Sequence, residues 1–336
     1  MKIRLAALLL CPLMSVLHVT TVMADTTVHS LDAVPGAIKT QDARKLSDSG
    51  MNGAKQPDGF GTALPAGFST PYLVQQLAPG QDPKRVVLAG AKPWPQRANA
   101  YVAMICLADT PEDAADAQQY ARGQCESFDS SDSENRQVWF GVFDATGGGA
   151  PRLVARTETP VDTQTDWSDT DLDLPEALDA KDAKDAKDAN DANDANDAND
   201  ANDANDANDA KLAMPASWKR FDLAPYQIKS GEYAFGVRAG WSEGYAGGGG
   251  HFEALYLFRV DGKALRVVFA RPMTFDKLIA GDWHKDGTRD HDEYDASNSL
   301  VILPGATDGF HDIQLRQQGG KWRRTFKWSS TAQMYR

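Results

Sequence analysis

Apolar residues along this chain gather mostly in short runs set off by polar and turn-forming positions. From Pro71 onward, short runs are rich in β-branched and aromatic residues and are bounded by Gly, Pro, Asn or Asp. They cover Arg85–Leu88, Tyr101–Leu107, Val138–Phe143, Arg152–Ala155, Glu232–Arg238, Ala254–Val260, Leu265–Ala270, Ser299–Leu303, Phe310–Arg316 and Trp322–Trp328. Such runs read as strands, because alternate side chains of a strand point to opposite faces. Asp261-Gly262 between two of them predicts a tight hairpin. One stretch breaks the pattern. Thr110-Pro111-Glu112-Asp113 carries a cap, a proline for the first helical position and acids for the first turn. A helix is predicted to run on to Arg122, with Gly123 ending it. The fold class expected is all-β with one short helix, arranged as a sandwich or small barrel-like domain, with a propeller-like arrangement as the alternative.

The pattern also repeats along the chain. VWFGVFDATGGGAPRLVAR at Val138–Arg156 and LYLFRVDGKALRVVFAR at Leu255–Arg271 are each an apolar run, a Gly-containing turn and an apolar run ending in Ala-Arg. Each precedes an Asp-Trp pair, Asp166-Trp167 and Asp282-Trp283. GEYAFGVR at Gly231–Arg238 then matches GFHDIQLR at Gly309–Arg316. Tandem similarity of this kind predicts two related halves, residues 71–178 and 212–336, packed as one domain.

Three segments stand outside the strand pattern. Residues 1–24 have a positive start (Lys2, Arg4), an apolar stretch and a Val22-Met23-Ala24 cleavage site, which predicts a secretory signal removed from the mature protein. No transmembrane segment is expected after its removal. Residues 25–70 are rich in Gly, Ala, Ser and Asp and read as a flexible leader. Residues 179–211 repeat Asp-Ala-Lys or Asp-Ala-Asn eleven times with no side chain large enough to build a core, which predicts a disordered insertion in a loop of the first half.

Charge narrows the partners. The formal net charge of −12 becomes −14 without residues 1–24, and the triplet tract alone carries eleven Asp against four Lys. A chain without a clustered basic surface is not built for nucleic acid. The two cysteines beyond the signal, Cys106 and Cys125, are expected to form one bridge in an oxidising compartment, pinning the short helix between them. Closing a loop of this size is worth about 3 kcal/mol.

Among candidate sites, Asp282–Glu293 is the richest in chemistry. Asp282, Asp286, Asp290 and Glu293 fall at positions one, five, nine and twelve, with Gly287 at six, a spacing that resembles a calcium loop of the EF-hand type. His284 at position three and Arg289 at position eight depart from it. His251, His284, His291 and His311 lack compact ligand spacing for a transition metal. Gly240-Trp-Ser242-Glu-Gly244 matches a nucleophile elbow in letters, but the glycines at 247–250 replace the helix an elbow needs. Those glycines lack the Lys-Ser/Thr of a phosphate cradle as well. Trp94, Trp167, Trp241 and Trp283 are read as core plugs at strand ends rather than sugar platforms.

The function expected from these residues is that of a periplasmic or secreted, non-enzymatic β-domain. It would bind an envelope component or protein partner and be stabilised by Ca2+ at Asp282, Asp286, Asp290 and Glu293. The alternative is an envelope glycan hydrolase using carboxylates of the same loop.

Overall fold

The computed structural model describes residues 58–120, 125–126, 136–147, 149–175, 211–245, 248–287 and 289–336. All lie within one compact unit, Gln56–Arg336. The expected signal segment and the triplet tract, save its last residue, Lys211, fall outside the described residues, as does the leader up to residue 57. In chain order the elements are α1 (Thr70–Leu77), β1 (Val86–Pro93), β2 (Ala100–Leu107), α2 (Pro111–Tyr120), β3 (Cys125–Glu126), β4 (Gln137–Asp144) and β5 (Arg152–Arg156). They continue with β6 (Thr165–Asp166), β7 (Leu212–Ala213), β8 (Ser217–Lys229), β9 (Glu232–Tyr245), β10 (Gly248–Asp261) and β11 (Ala264–Trp283). The last are β12 (Arg289–Thr307), β13 (Phe310–Gln317), β14 (Arg323–Phe326), β15 (Trp328–Ser329) and β16 (Met334–Tyr335).

The fold is all-β with short helices, and its main sheet curls into a large, nearly closed barrel. Two antiparallel meanders build that sheet, β1-β2-β4-β5 and β8-β9-β10-β11. They meet through a single parallel rung, Arg156 against Ala264. Bulges at Glu253/Ala254 and Leu257/Phe258 in the β10–β11 ladder add the local bend that closure requires.

Alternation decides what the barrel holds. Val102, Met104 and Cys106 of β2 point inward with Phe140 and Val142 of β4, while Ala103, Ile105 and Leu107 point outward. Inward rings fill the lumen. Phe140 lies 4.8 Å from Phe258 and 5.3 Å from Trp218, and Phe235 stacks on Phe258 at 5.2 Å. The interior is thus a packed core of side chains.

The outer face is apolar too, so it must be covered. α1 covers β1, β2 and β4, burying Leu73, Val74 and Leu77 against Ile105 and Phe143. It can approach closely because β4 has Gly141 there: a Cβ at that position would stand 2.3 Å from the Leu77 Cδ2. Ser69 caps this helix by accepting from the Tyr72 N–H, and Pro71 occupies its first turn. Over the second meander, β12 leaves β11 to pair with β13, which pairs with β14. This layer seats Ile313, Leu315 and Phe326 on Leu255, Leu257 and Phe269, and Tyr335 of β16 joins the same cluster.

Cys106 and Cys125 are joined, and both sulfurs are buried inside the barrel. The helix between them forms over Pro111–Tyr120, with the Thr110 Oγ1 accepting from the Asp113 N–H at 3.1 Å, while its expected end at Arg122 and Gly123 lies outside the described residues. The bridge does more than hold that excursion. β2 belongs to the first meander, whereas β3 pairs with β8 at the outer edge of the second. It therefore staples the two meanders.

Three expectations need correction. Residues 58–70 are not leader: Phe60 is completely buried and Phe68 packs on Tyr101 and Phe143. The hairpins at Val138–Arg156 and Leu255–Arg271 do occupy matching places in the two meanders. The rest of the proposed repeat does not correspond, because Gly231–Arg238 is barrel strand β9 while Gly309–Arg316 lies in the covering strand β13. The two Asp-Trp pairs also diverge, since Trp167 is 1% exposed and Trp283 is 68% exposed.

Candidate functional site

β11 and β12 are longer than the barrel needs. The β10–β11 ladder ends at Gly249/Leu278, and the β12–β13 ladder begins only at Asn298. Between these limits β11 and β12 pair with each other alone among the described residues, through Ile279/Asp292, Ala280/His291 and Trp283/Arg289. At about 3.4 Å per residue this makes a two-stranded arm roughly 15 Å long. His284–Gly287 turns the arm at its tip, with Gly287 at φ +84° donating to the His284 carbonyl at 3.1 Å.

Large apolar side chains stay exposed on this arm and at its base. Ile279 and Trp283 of the arm, and Leu278 and Tyr294 at its base, all remain accessible. Trp283 is held in place rather than loose: the Arg289 guanidinium lies 5.2 Å over its ring, and the Arg289 Nε donates to the Gly281 carbonyl at 2.8 Å. Residues 279–292 carry four carboxylates against Lys285 and Arg289, a net of −2 with the histidines neutral.

The hairpin also sets what the calcium-like spacing becomes. Asp290 and Glu293 are three residues apart in β12, so their side chains leave opposite faces of the ribbon. Asp290 is engaged by the His284 Nε2 at 2.7 Å. Asp282 is the penultimate residue of β11 and Asp286 sits in the turn. Among the described residues no group of three or more His, Cys, Asp or Glu side chains stands together as a metal ion would need.

A second polar region lies at the base of the arm, on the outer face of the barrel. Cross-strand register puts Ser242 of β9, His251 of β10, Asp276 of β11 and Asp295 of β12 side by side in one row. The next row holds Gly240, Glu253 and Thr274. Glu253 receives both Arg220 guanidinium nitrogens at 2.8 Å, with the Lys219 Nζ at 3.8 Å. Burial alone would raise the Glu253 carboxyl; the hydrogen bonds and charge of Arg220, then Lys219, outweigh it and hold the group below the usual glutamate range. Burial raises Glu126 and Asp276, against the pull of Lys219 and His251 on both. Lys219 passes over Gly240, where a Cβ would stand 2.2 Å from its Cε.

The remaining sequence candidates fall into place around these two regions. Ser242 lies in the extended strand β9, with the His251 Nδ1 at 3.3 Å from its Oγ, and the next described element is the strand β10. His311 is half-buried in β13, far in the ladder order from His251. Trp94, Trp167 and Trp241 are core plugs as expected, and Trp283 is not. The arm itself is not marked in the sequence: residues 278–283, Leu-Ile-Ala-Gly-Asp-Trp, show no alternation of apolar and polar positions that would signal a strand. Among the described residues no helix is long and apolar enough to cross a membrane. Comparison of the chain with family models, curated proteins and solved structures finds no match.

Proposed function

We propose that this chain is an exported, non-enzymatic β-barrel module that binds an envelope component or protein through the β11–β12 arm. One observation carries the reading: Trp283 is 68% exposed on a two-stranded projection. An isolated ribbon is marginally stable and aromatics are costly to leave in water, so such an element is best explained by a partner that covers it. Aromatic anchors stacked with arginine are typical of interface centres. The net charge of −2 on the arm favours a basic partner surface. Export is supported by the signal-like start and by the buried Cys106–Cys125 bridge. Calcium at Asp282, Asp286, Asp290 and Glu293 would require the arm tip to rearrange, because the ribbon register directs its acids to both faces.

The test uses a fluorescent oligolysine peptide as probe, with an oligoglutamate control. Salt-sensitive binding of oligolysine is expected, retained when residues 179–211 are deleted and lost in Trp283→Ser. Equal binding by Trp283→Ser, or none by the unaltered protein, would sink the reading.

A glycan hydrolase remains the second reading, now centred on Glu126, Glu253 and Asp276 rather than on the arm tip. Their environments push the carboxyls in opposite directions, which is what a general acid and its ionised partner need. Turnover of cell-wall glycan that disappears in Glu253→Gln would favour it over the binding reading.

A further inference from the structure

The edges of β1 and β8 face each other across the barrel without pairing, and the segment Asp58–Thr62 lies between them. The Gly59 carbonyl accepts from the Phe221 N–H of β8 at 3.1 Å, and the Gly61 carbonyl accepts from the Ala91 N–H of β1 at 3.1 Å. Phe60, between them, enters the barrel, where it is fully buried with its ring 5.0 Å from Phe221 and edge-on to it. Asp58 folds back to accept from the Gly61 and Thr62 N–H groups at 2.7 Å each, and its carbonyl accepts from the Lys92 Nζ at 2.7 Å.

The channel is selective in shape. A Cβ at Gly59 would stand 2.4 Å from the Lys219 carbonyl oxygen, and one at Gly61, where φ is +75°, 2.3 Å from the Ala91 carbonyl oxygen. From the opposite wall, a Cβ at Gly90 would stand 2.6 Å from the Phe60 carbonyl oxygen. The seam therefore accepts an aromatic residue only between two residues without side chains. Every contact that holds the segment is one that a free peptide could make, since none depends on its covalent link to the barrel.

We propose that the β1–β8 seam is a binding channel for an extended peptide of the Asp-Gly-aromatic-Gly type, occupied in cis by Asp58–Thr62 and able to take such a segment from a partner when this strap leaves. The proposal is independent of the arm.

The experiment uses the full chain and a fluorescent peptide spanning residues 57–63. Phe60→Ala weakens the strap and leaves the channel intact, so the folded variant should bind the peptide about tenfold more tightly than the unaltered protein. The same peptide with Phe replaced by Ala should not bind, and Gly90→Ala, whose Cβ fills the channel, should bind neither. Hydrogen exchange on the unaltered protein gives a second readout. The Phe221 and Ala91 amides should exchange together, about tenfold faster than those of β2 and β10. A folded Phe60→Ala protein that ignores the peptide, equal binding by the unaltered chain, or full protection of both amides would each overturn the proposal. If Phe60→Ala does not fold, exchange alone decides.

Discussion

Replacing Trp283 and Trp167 by alanine, one at a time, should have sharply different consequences despite the shared Asp-Trp context. Trp167 is 1% exposed and packs edge-on against Trp241 at 5.2 Å and Phe252 at 6.0 Å. Removing a fully buried tryptophan leaves a cavity and costs about 3–5 kcal/mol, to which lost ring pairing contributes about 0.5–1.5 kcal/mol per pair. Trp283 keeps 68% of its surface in water. About a third of an aromatic's 150–250 Å², at about 25 cal/mol per Å², gives an upper limit of roughly 1–2 kcal/mol. The unfolded chain already buries part of that area, which brings the expectation to about 1 kcal/mol, including the contact with Arg289. Urea unfolding followed by far-UV circular dichroism separates the two, with the Trp167→Ala midpoint falling several times further. Equal losses would show that Trp283 is packed, and the case for the arm as a docking element would fail with it.

Cys106→Ser combined with Cys125→Ser should lower stability by about 3 kcal/mol, read as a Tm shift that reducing agent reproduces in the unaltered protein. Glu253 supplies a pH signature. Its folded carboxyl is held low, so its contribution is present at neutral pH and is lost as pH falls through that lowered value. Arg220→Met should therefore cost about 1 kcal/mol at neutral pH, discounted for the half-exposed arginine, and progressively less in acid. Asp276 runs the other way. Burial raises its carboxyl, so ionisation opposes folding as pH rises from the unfolded value through the raised one. Asp276→Asn should raise the neutral Tm and leave the acid Tm unchanged. Deleting residues 179–211 should move the Tm by no more than about 2 °C, because long loops add little closure cost. Calcium should leave the Tm unchanged in thermal scans with and without chelator, and a shift abolished by Asp286→Ala would reinstate a calcium loop.

Much of the barrel was legible in the sequence because its strands are self-declaring. β2 and β4 are short, nearly unbroken apolar runs rich in β-branched and aromatic residues, and Asp261-Gly262 turns the β10–β11 hairpin with Gly262 at φ +62°. β8 escaped detection because Lys219, Arg220, Asp222 and Pro225 interrupt its pattern. Those charges sit near its ends and bulges, where the register with β9 shifts. The arm carries no strand signal because a ribbon with two wet faces shows no apolar side to mark it. The opening repeat was half visible. Hairpins with the same turn chemistry do sit in both meanders, but local alternation cannot tell a barrel strand such as β9 from a covering strand such as β13.

By itself the sequence determined the class, the bridge and the helix it encloses, since period, caps and paired cysteines act over a few residues or offer a single partner. Only the tertiary structure decided where the sheet closes. The strap at Gly59–Gly61 looks like flexible leader until β1 and β8 are placed on either side of it. The same holds for the acids of Asp282–Glu293. A linear spacing fits a metal loop only if the chain wraps around one point, and antiparallel pairing sends neighbouring side chains to opposite faces instead. Trp167 and Trp283 share a local sequence and differ in everything a partner would see, because burial is set by what the rest of the fold brings alongside.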